Sequence, residues 1–324
     1  MLIAIVGVLA GIALVAHYGV RDVGRVLVAI GWGGFVAVVL LHLGGIVLLG
    51  LCWFLLAPDA GRFSAFVWGR LVRDSASEVL PLSQIGGFAM GARAAALMGL
   101  PGAVAAASTV VDVTLEALAQ LAYTAVGLAV VVHLHAGGGL VVWVALGLCS
   151  GLIAIAAFIA LQRHAARLAE RPLANLIRRF GEGAFTAVRA AAAQIASIHG
   201  QRRPIALAVF LHFCAWLASG CEAWIALRLM GVEVGLPPVI AIESLLFALR
   251  SVAFFVPGAV GVQEGAYVLL GTGFGLPPQV VLALSLLKRA RDVAIGVPAL
   301  VGWQMQEARR LVTESVRPTK QGAT

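Results

Sequence analysis

The sequence predicts an all-α, polytopic integral membrane protein with six full spans and two broken helical hairpins arranged as an inverted repeat. Of the 324 residues, 61% are apolar and 12% are charged, and the mean hydropathy is +1.00. A soluble fold of this length could not bury so much apolar surface. Several apolar runs are also long enough to cross a bilayer, and a proline and glycine spacing occurs twice, 176 residues apart.

The repeated spacing is a proline in an apolar stretch, followed about twenty residues later by the tripeptide Gly-Leu-Pro. Pro81 precedes the tripeptide at 99–101, and Pro257 precedes the tripeptide at 275–277. Paired interruptions at matching places in two halves of a hydrophobic chain are typical of transporter binding sites. The clustered helix breakers therefore indicate a duplicated functional element.

Six apolar segments are each predicted to cross the membrane once, because about 20 apolar residues span a bilayer. They are 2–20, 34–57, 102–132, 138–161, 204–230 and 278–303. The segments 63–99 and 239–275 are too long for one crossing, and each is interrupted near its middle by Pro81 or Pro257. We expect each to enter the membrane, turn at the break and leave on the side it entered.

Arginine distribution predicts the orientation. The segment 162–203 contains eight arginines and two glutamates, so the positive-inside rule places it, and the C-terminus, in the cytoplasm. The two hairpins then enter from opposite faces. We interpret the chain as a single transmembrane domain over 1–324: a first half at 34–161, a basic linker at 162–203 resembling an interfacial amphipathic helix, a second half at 204–303 and a polar tail at 304–324.

Charged side chains inside predicted spans are candidates for a binding site, since each costs about 2.5–3.5 kcal/mol there unless it is paired or faces water. Asp112 and Glu116 share one face of the span 102–132, and the 176-residue offset matches them with Lys288 and Asp292. Arg289 and Arg291 lie between these two. Two interpretations stay open: salt bridges that lock the halves together, or groups that handle a ligand or protons.

The two breaks are the second group of candidates. A half-helix that begins inside the membrane presents free N–H groups that suit a phosphate or carboxylate, although kinks needed only for packing would leave the same signature. Serine at a helix start is a cap, and glycines permit close approach of another group. The candidate residues here are Ser83, Gln84, Gly86 and Gly87 at the first break and Pro257, Gly258, Gly261 and Glu264 at the second.

Other polar groups near these elements are Arg73, Asp74, Glu78, Arg93, Glu222, Glu243 and Arg250, and three of them are further site candidates. Glu222 is well inside the span 204–230 and has Arg228 as a possible partner, either in a structural pair or in proton exchange. Arg93 and Arg250 are near the two breaks, and Arg93 alternatively extends to the cytoplasmic interface. The histidines within spans, including His42 and His212, are expected to be packed and neutral.

Motifs of other function classes do not occur in the sequence. It contains no nucleophile elbow, phosphate-binding loop or zinc-hydrolase motif, and its basic segments lack the interleaved aromatic residues of single-strand nucleic-acid binders. We therefore expect neither enzymatic activity nor a cofactor or metal, and no nucleic acid as partner.

The stretch from Val256 to Glu264 resembles the P-G-x-x-G-x-x-E signature of the lysylphosphatidylglycerol synthase transmembrane (flippase-domain) family, with Pro257, Gly258, Gly261 and Glu264 at the signature positions. The sequence of the first half is similar to that of the hopanoid biosynthesis-associated members at residues 80–87, 91–93 and 108–116. After the first proline the broader family pattern has a Gly-Glu pair, whereas this chain has Gly86-Gly87-Phe88. That difference fits a less charged lipid.

The resemblance implies a lipid transporter or flippase of the bacterial inner membrane that works beside hopanoid or modified-phospholipid synthesis. Its partners would be membrane lipids, with lipid-biosynthesis or export proteins as further candidates. The alternative is a non-catalytic accessory protein that scaffolds a lipid-biosynthesis complex, and a membrane-embedded transferase is a third option.

Overall fold

The protein is helical in the computed structural model, which describes residues 2–80, 83–134, 151–153, 155–162, 182–253 and 256–316 together with positions 142, 146 and 149. No strand occurs within these residues. The α-helices there are α1 Leu2–Tyr18, α2 Val20–Ala29, α3 Gly31–Phe54, α4 Phe63–Val79, α5 Ser83–Leu97, α6 Gly102–Leu134, α7 Glu182–His199, α8 Arg202–Leu229, α9 Leu236–Val252, α10 Val262–Gly273 and α11 Pro278–Val316.

The helices confirm a polytopic helical membrane protein, while the number of crossings stays a prediction. Within the described residues, α3, α6 and α8 are long and apolar enough to span a membrane. The helix α1 has only 17 residues, and α11 contains the charged run 288–292. Of the expected span 138–161, the structure describes the stretches 151–153 and 155–161 and three single positions, all of them helical. Outward apolar side chains such as Leu40, which is 62% exposed, provide the surface that lipid would cover.

The first predicted hairpin consists of α4 and α5, which pack against each other in antiparallel fashion. A Cβ added to Gly91 would lie 2.8 Å from the carbonyl oxygen of Gly69, and one added to Gly87 would lie 2.7 Å from that of Arg73. Both distances are too short for a side chain, so these glycines allow the two helices to touch. The close approach at Gly87 is thus made by α4, and not by a ligand as the sequence suggested.

The duplicated Gly-Leu-Pro tripeptide forms the same turn in both copies. Gly99 and Gly275 have left-handed φ angles of 104° and 78°. The following leucine N–H donates to the carbonyl five residues earlier, from Leu100 to Ala95 at 3.3 Å and from Leu276 to Gly271 at 2.9 Å. This is the hydrogen bond of a Schellman helix end. The repeat therefore exists as backbone geometry.

The second break, between α9 and α10, has a strained backbone that meets the first hairpin. Gly258, Ala259 and Gly261 all have positive φ angles, of 57°, 48° and 82°. A Cβ on Gly258 would lie 3.0 Å from the carbonyl oxygen of Glu78, near the end of α4. The second break therefore lies against the end of α4, and the membrane face from which each hairpin enters stays a prediction.

The linker and the C-terminal segment differ in part from the sequence-based prediction. Within the linker, α7 packs on the bundle, and its Ile198 is fully buried against Val111, Leu115 and Ala208, so this part does not lie only on a lipid surface. Residues 163–181 of the linker lie outside the described residues. The last helix, α11, continues to Val316, thirteen residues beyond the predicted span end at 303, because Gln, Glu and Arg are good helix formers.

Hydrogen bonds fix the relative direction of the helices. Asp112 contacts His212 at 3.0 Å, and the Trp216 indole donates to the Glu116 carbonyl at 3.4 Å, so α6 and α8 run parallel and begin at the same end of the bundle. At this end, Glu307 of α11 contacts Arg93 of α5 at 2.5 Å. We call it the basic end, since it contains Arg62, Arg93, Arg202, Arg203, Arg309 and Arg310.

Candidate functional site

A polar cavity of about 280 Å³ lies between the two halves of the bundle. Its wall is formed by α3, α4, α6, α8, α9 and α11, with Phe88 of α5 and Gln263 of α10, and it includes the aromatic residues Trp216 and Phe247. Five cationic and five acidic side chains line it together with His42. They are Arg70, Arg73, Arg250, Lys288 and Arg291, and Asp74, Glu78, Glu116, Glu222 and Asp292.

In the first half, the cationic groups come from the hairpin and the acidic groups from α6. Arg70 of α4 donates to Glu116 through its two terminal guanidinium nitrogens, at 2.7 and 2.9 Å. Its Nε donates to Asp74 at 2.8 Å. Arg73, one turn later, donates to Asp112 at 2.8 Å and also contacts Glu116. Forked arginine and carboxylate pairs of this kind satisfy charges that would be costly to bury alone.

Asp112 lies behind the cavity wall and joins the first half to α8. Its second oxygen contacts Nε2 of His212, and both side chains are fully buried. The other ring nitrogen of His212 has no hydrogen-bond partner among the described residues. His212 is therefore packed, as expected, but it is also part of the ion-pair network.

In the second half, two ion pairs of α11 with the hairpin run the opposite way, with the cation on α11 and the carboxylate on the hairpin. Lys288 donates to Glu243 of α9 at 2.5 Å, and Tyr267 of α10 donates to the other oxygen of the same carboxylate at 2.5 Å. Arg289 donates to Glu264 at 2.6 Å. That carboxylate also accepts the N–H of Gly261 at 2.7 Å, which caps the start of α10.

Glu222 pairs with Arg291, and its second oxygen lies 3.1 Å from Nδ1 of His42. The sequence-based choice of Arg228 as its partner is wrong. Six residues along a helix amount to a rotation of about 600°, which turns Arg228 away from Glu222. Its guanidinium instead lies 5.5 Å from the ring centroid of Trp224. His42, expected to be merely packed, contacts a carboxylate at the cavity.

The charged groups of α6 and α11 do form salt bridges, but these join each of the two helices to its own hairpin, and within the described residues none joins α6 to α11. The contact between the hairpins is a different pair: Arg250 of α9 donates to Glu78 of α4 at 2.5 Å. Beside it, Gln120 of α6 donates to the Phe247 carbonyl at 3.1 Å.

The structure brings six of the predicted site residues to the cavity, namely Glu116, Glu222, Arg250, Lys288, Arg291 and Asp292. Asp112, Glu264 and Arg289 bind or lie beside groups at its wall. Gly258 and Gly261 form the second break, Gly86 belongs to α5, and the side chains of Ser83, Gln84 and Pro257 lie outside the described part. Arg93 is not at the cavity, since its pairing with Glu307 holds it at the basic end.

Sequence reasoning noted Arg73, Asp74 and Glu78 but did not assign them to the site, and it missed Arg70 and the aromatic residues of the cavity. Arg70, Arg73, Asp74, Ser77 and Glu78 follow one another at intervals of one to four residues within an apolar hairpin, which places most of them on one side of a helix. That spacing was the available signal. Trp216 and Phe247 have no distinguishing sequence signal, since aromatic residues are common in apolar spans.

Comparison with known proteins gives one family match over most of the chain. The family model described as the lysylphosphatidylglycerol synthase TM region matches residues 1–301. No curated protein and no solved structure matches the chain.

Proposed function

Because the chain belongs to the lysylphosphatidylglycerol synthase TM region family, we propose that it translocates a lipid between the two leaflets of a membrane, with the central cavity receiving the headgroup. The family assigns it to membrane lipid biology. The observation that carries the finer proposal is the cavity itself, a charged space shared by both halves of an apolar bundle. Ionic groups within a membrane are expensive unless they serve a pathway or a ligand.

The size of the cavity supports a headgroup as its occupant. Pockets that enclose whole small ligands have about 300–1,000 Å³, and this cavity of about 280 Å³ is at the lower limit of that range. It has room for a polar headgroup and not for acyl chains or a fused ring system. The apolar part of the lipid must therefore remain outside, in the bilayer.

The cavity wall includes residues that reach the outer surface. Leu41 lines the cavity and is 43% exposed, and Ser251 at the end of α9 is also exposed. Leu41 lies near the middle of α3, one of the helices long enough to span a membrane. An opening there would let the headgroup enter sideways while its tail stays among the lipids.

The charge balance supports a headgroup that is neutral or zwitterionic. Five cationic and five acidic side chains line the cavity, so a headgroup with a large net charge would be left without compensation. A hopanoid with a polar side chain or a modified phospholipid has the required chemistry. The proposal assigns no catalytic step to the chain.

The arginines support an orientation in a bacterial inner membrane. Arg202 and Arg203 of the linker lie at the same end of the bundle as Arg309 and Arg310 of α11, at the basic end. Arginine is enriched on the cytoplasmic side of membrane proteins. We infer that the linker and the C-terminus are cytoplasmic.

The proposal is tested by filling the cavity without removing a charge. Ala117 of α6 lines the cavity, and Ala122 of the same helix is exposed on its outer side. In proteoliposomes with fluorescent lipids, Ala117→Phe should reduce the translocation rate about tenfold or more, because its ring would occupy the headgroup space and weaken binding there by about 1.4 kcal/mol or more. Ala122→Phe should leave it unchanged.

Equal rates for the wild type, Ala117→Phe and protein-free vesicles would contradict translocation. If the cell phenotype then depended on the linker arginines and not on Ala117, the scaffold alternative would replace it. Both variants must retain the wild-type melting temperature for either conclusion.

A further inference from the structure

A second pocket, of about 570 Å³, lies at the basic end of the bundle, outside the central cavity. It is formed by α5, the first residue of α6 and the part of α11 beyond the predicted span. Arg93, Arg309 and Arg310 line it, and Ala96, Leu97 and Leu100 provide apolar contacts. A cationic group of side chains above an apolar surface is the arrangement that a membrane interface presents to a lipid headgroup.

The charge at this pocket is cationic, in contrast to the balanced central cavity. Arg93 contacts Glu307 at 2.5 Å, and this hydrogen bond lowers the pKa of the Glu307 carboxyl, so that the carboxylate stays ionised at neutral pH. Among the described residues, the charged side chains that line this pocket are all arginines. Guanidinium groups match phosphate oxygens with two parallel hydrogen bonds.

Helix α6 adds to this preference. It begins at Gly102, which lines the pocket, and the first N–H groups of a helix have no partner within it. They also form the positive end of the helix dipole, which favours an anion. The arginines, and not the helix end, determine the charge of the site.

From these observations we propose that the pocket at the basic end binds a phosphate-bearing anion, and in the membrane an anionic phospholipid headgroup. The site is separate from the translocation cavity, so it does not depend on the function proposed above. It would hold a resident lipid at the cytoplasmic surface and fix the C-terminal part of α11 there.

The site is tested by lipid binding to the full chain in nanodiscs of phosphatidylcholine with a small fraction of phosphatidylglycerol. Native mass spectrometry counts the phosphatidylglycerol molecules that remain bound. The variant with Arg309→Gln and Arg310→Gln should bind this lipid about tenfold more weakly, because it loses two charge-assisted contacts. Both side chains are exposed, so the fold should persist, as the melting temperature would show.

The matched control carries Arg202→Gln and Arg203→Gln. These two arginines are also exposed and lie at the same end of the bundle, but outside the pocket. The control should retain wild-type binding, and an equal loss in both variants would overturn the proposal in favour of general surface attraction. If inorganic phosphate competes with the lipid, the occupant is a free anion. If it does not compete, the occupant is the lipid headgroup. Neither readout requires translocation.

Discussion

The two halves of the bundle have the same helical hairpin and opposite charges. In the first half, Arg70 and Arg73 of the hairpin bind acidic groups on α6. In the second half, Lys288 of α11 binds Glu243 of the hairpin. The offset of 176 residues that aligns the two Gly-Leu-Pro turns also aligns Asp112 with Lys288. This aligned pair has opposite sign, whereas the next aligned pair, Glu116 and Asp292, is acidic in both halves.

The difference shows that the geometry is repeated and the chemistry is not. Most buried ion pairs lie within one half, although Asp112 contacts His212 and Glu222 contacts His42 across the halves. The pair of Glu78 and Arg250 then remains as a direct ion pair between the hairpins, and it is more exposed than the internal networks. The halves also differ in redundancy: the first network has two arginines and several carboxylates, whereas Lys288 depends on one carboxylate and the hydroxyl of Tyr267.

The largest effect should come from removing the carboxylate that Lys288 depends on. Glu243→Gln leaves a buried lysine without an anionic partner and should lower the free energy of unfolding by about 3 kcal/mol. Asp112→Asn should cost about 1 kcal/mol, because Arg73 keeps its contact with Glu116. Unfolding in detergent at increasing denaturant measures both changes in the free energy of unfolding. Equal losses would refute the view that the first network has more alternative charge partners than the second.

A charge exchange sharpens the comparison. If the sign at each position is arbitrary, Glu243→Lys and Lys288→Glu should each destabilise the protein, and the double variant should recover about 2 kcal/mol in a double-mutant cycle. The same exchange at Arg93 and Glu307, where both side chains are partly exposed, should recover under about 1 kcal/mol. An absence of recovery at the buried pair would mean that its orientation is fixed by Tyr267.

The smallest loss of stability is expected at the Gly-Leu-Pro turn, which both halves contain. Gly99→Ala and Gly275→Ala should each cost about 1 kcal/mol, since both positions have left-handed backbones. Both have open space around an added Cβ, so only the backbone contributes. Gly102, with equally open space and no positive φ angle, provides the control. Melting temperatures that differ strongly between the first two variants would contradict equivalent turns.

Sequence reasoning predicted the repeated turns and the two hairpins because helix breakers act locally. The same holds for α3 and α8, which begin and end within a few residues of the predicted spans. The length of α11 was underestimated, since its polar end has no apolar periodicity while its residues favour a helix.

The candidate site was predicted only in part. Six charged residues of the cavity were identified because an ion inside a membrane is expensive. Their partners were not, since pairing depends on which helices pack together, and this information is not in the spacing along the chain. Arg70 and Glu243 belong to hairpins whose packing had to be known first, and Arg93 was misassigned because α11 extends to Glu307.

The unbroken length of α11 has a mechanical consequence. Lys288 and Arg309 are 21 residues apart on this helix, or about 32 Å at 1.5 Å per residue. Pro298 lies between them and removes one helical hydrogen bond, which makes it the natural place for a bend. A change of about 10° there would move Arg309, about 16 Å away, by about 3 Å. The helix is thus a lever with its pivot near mid-length, one arm in the cavity and the other at the membrane surface.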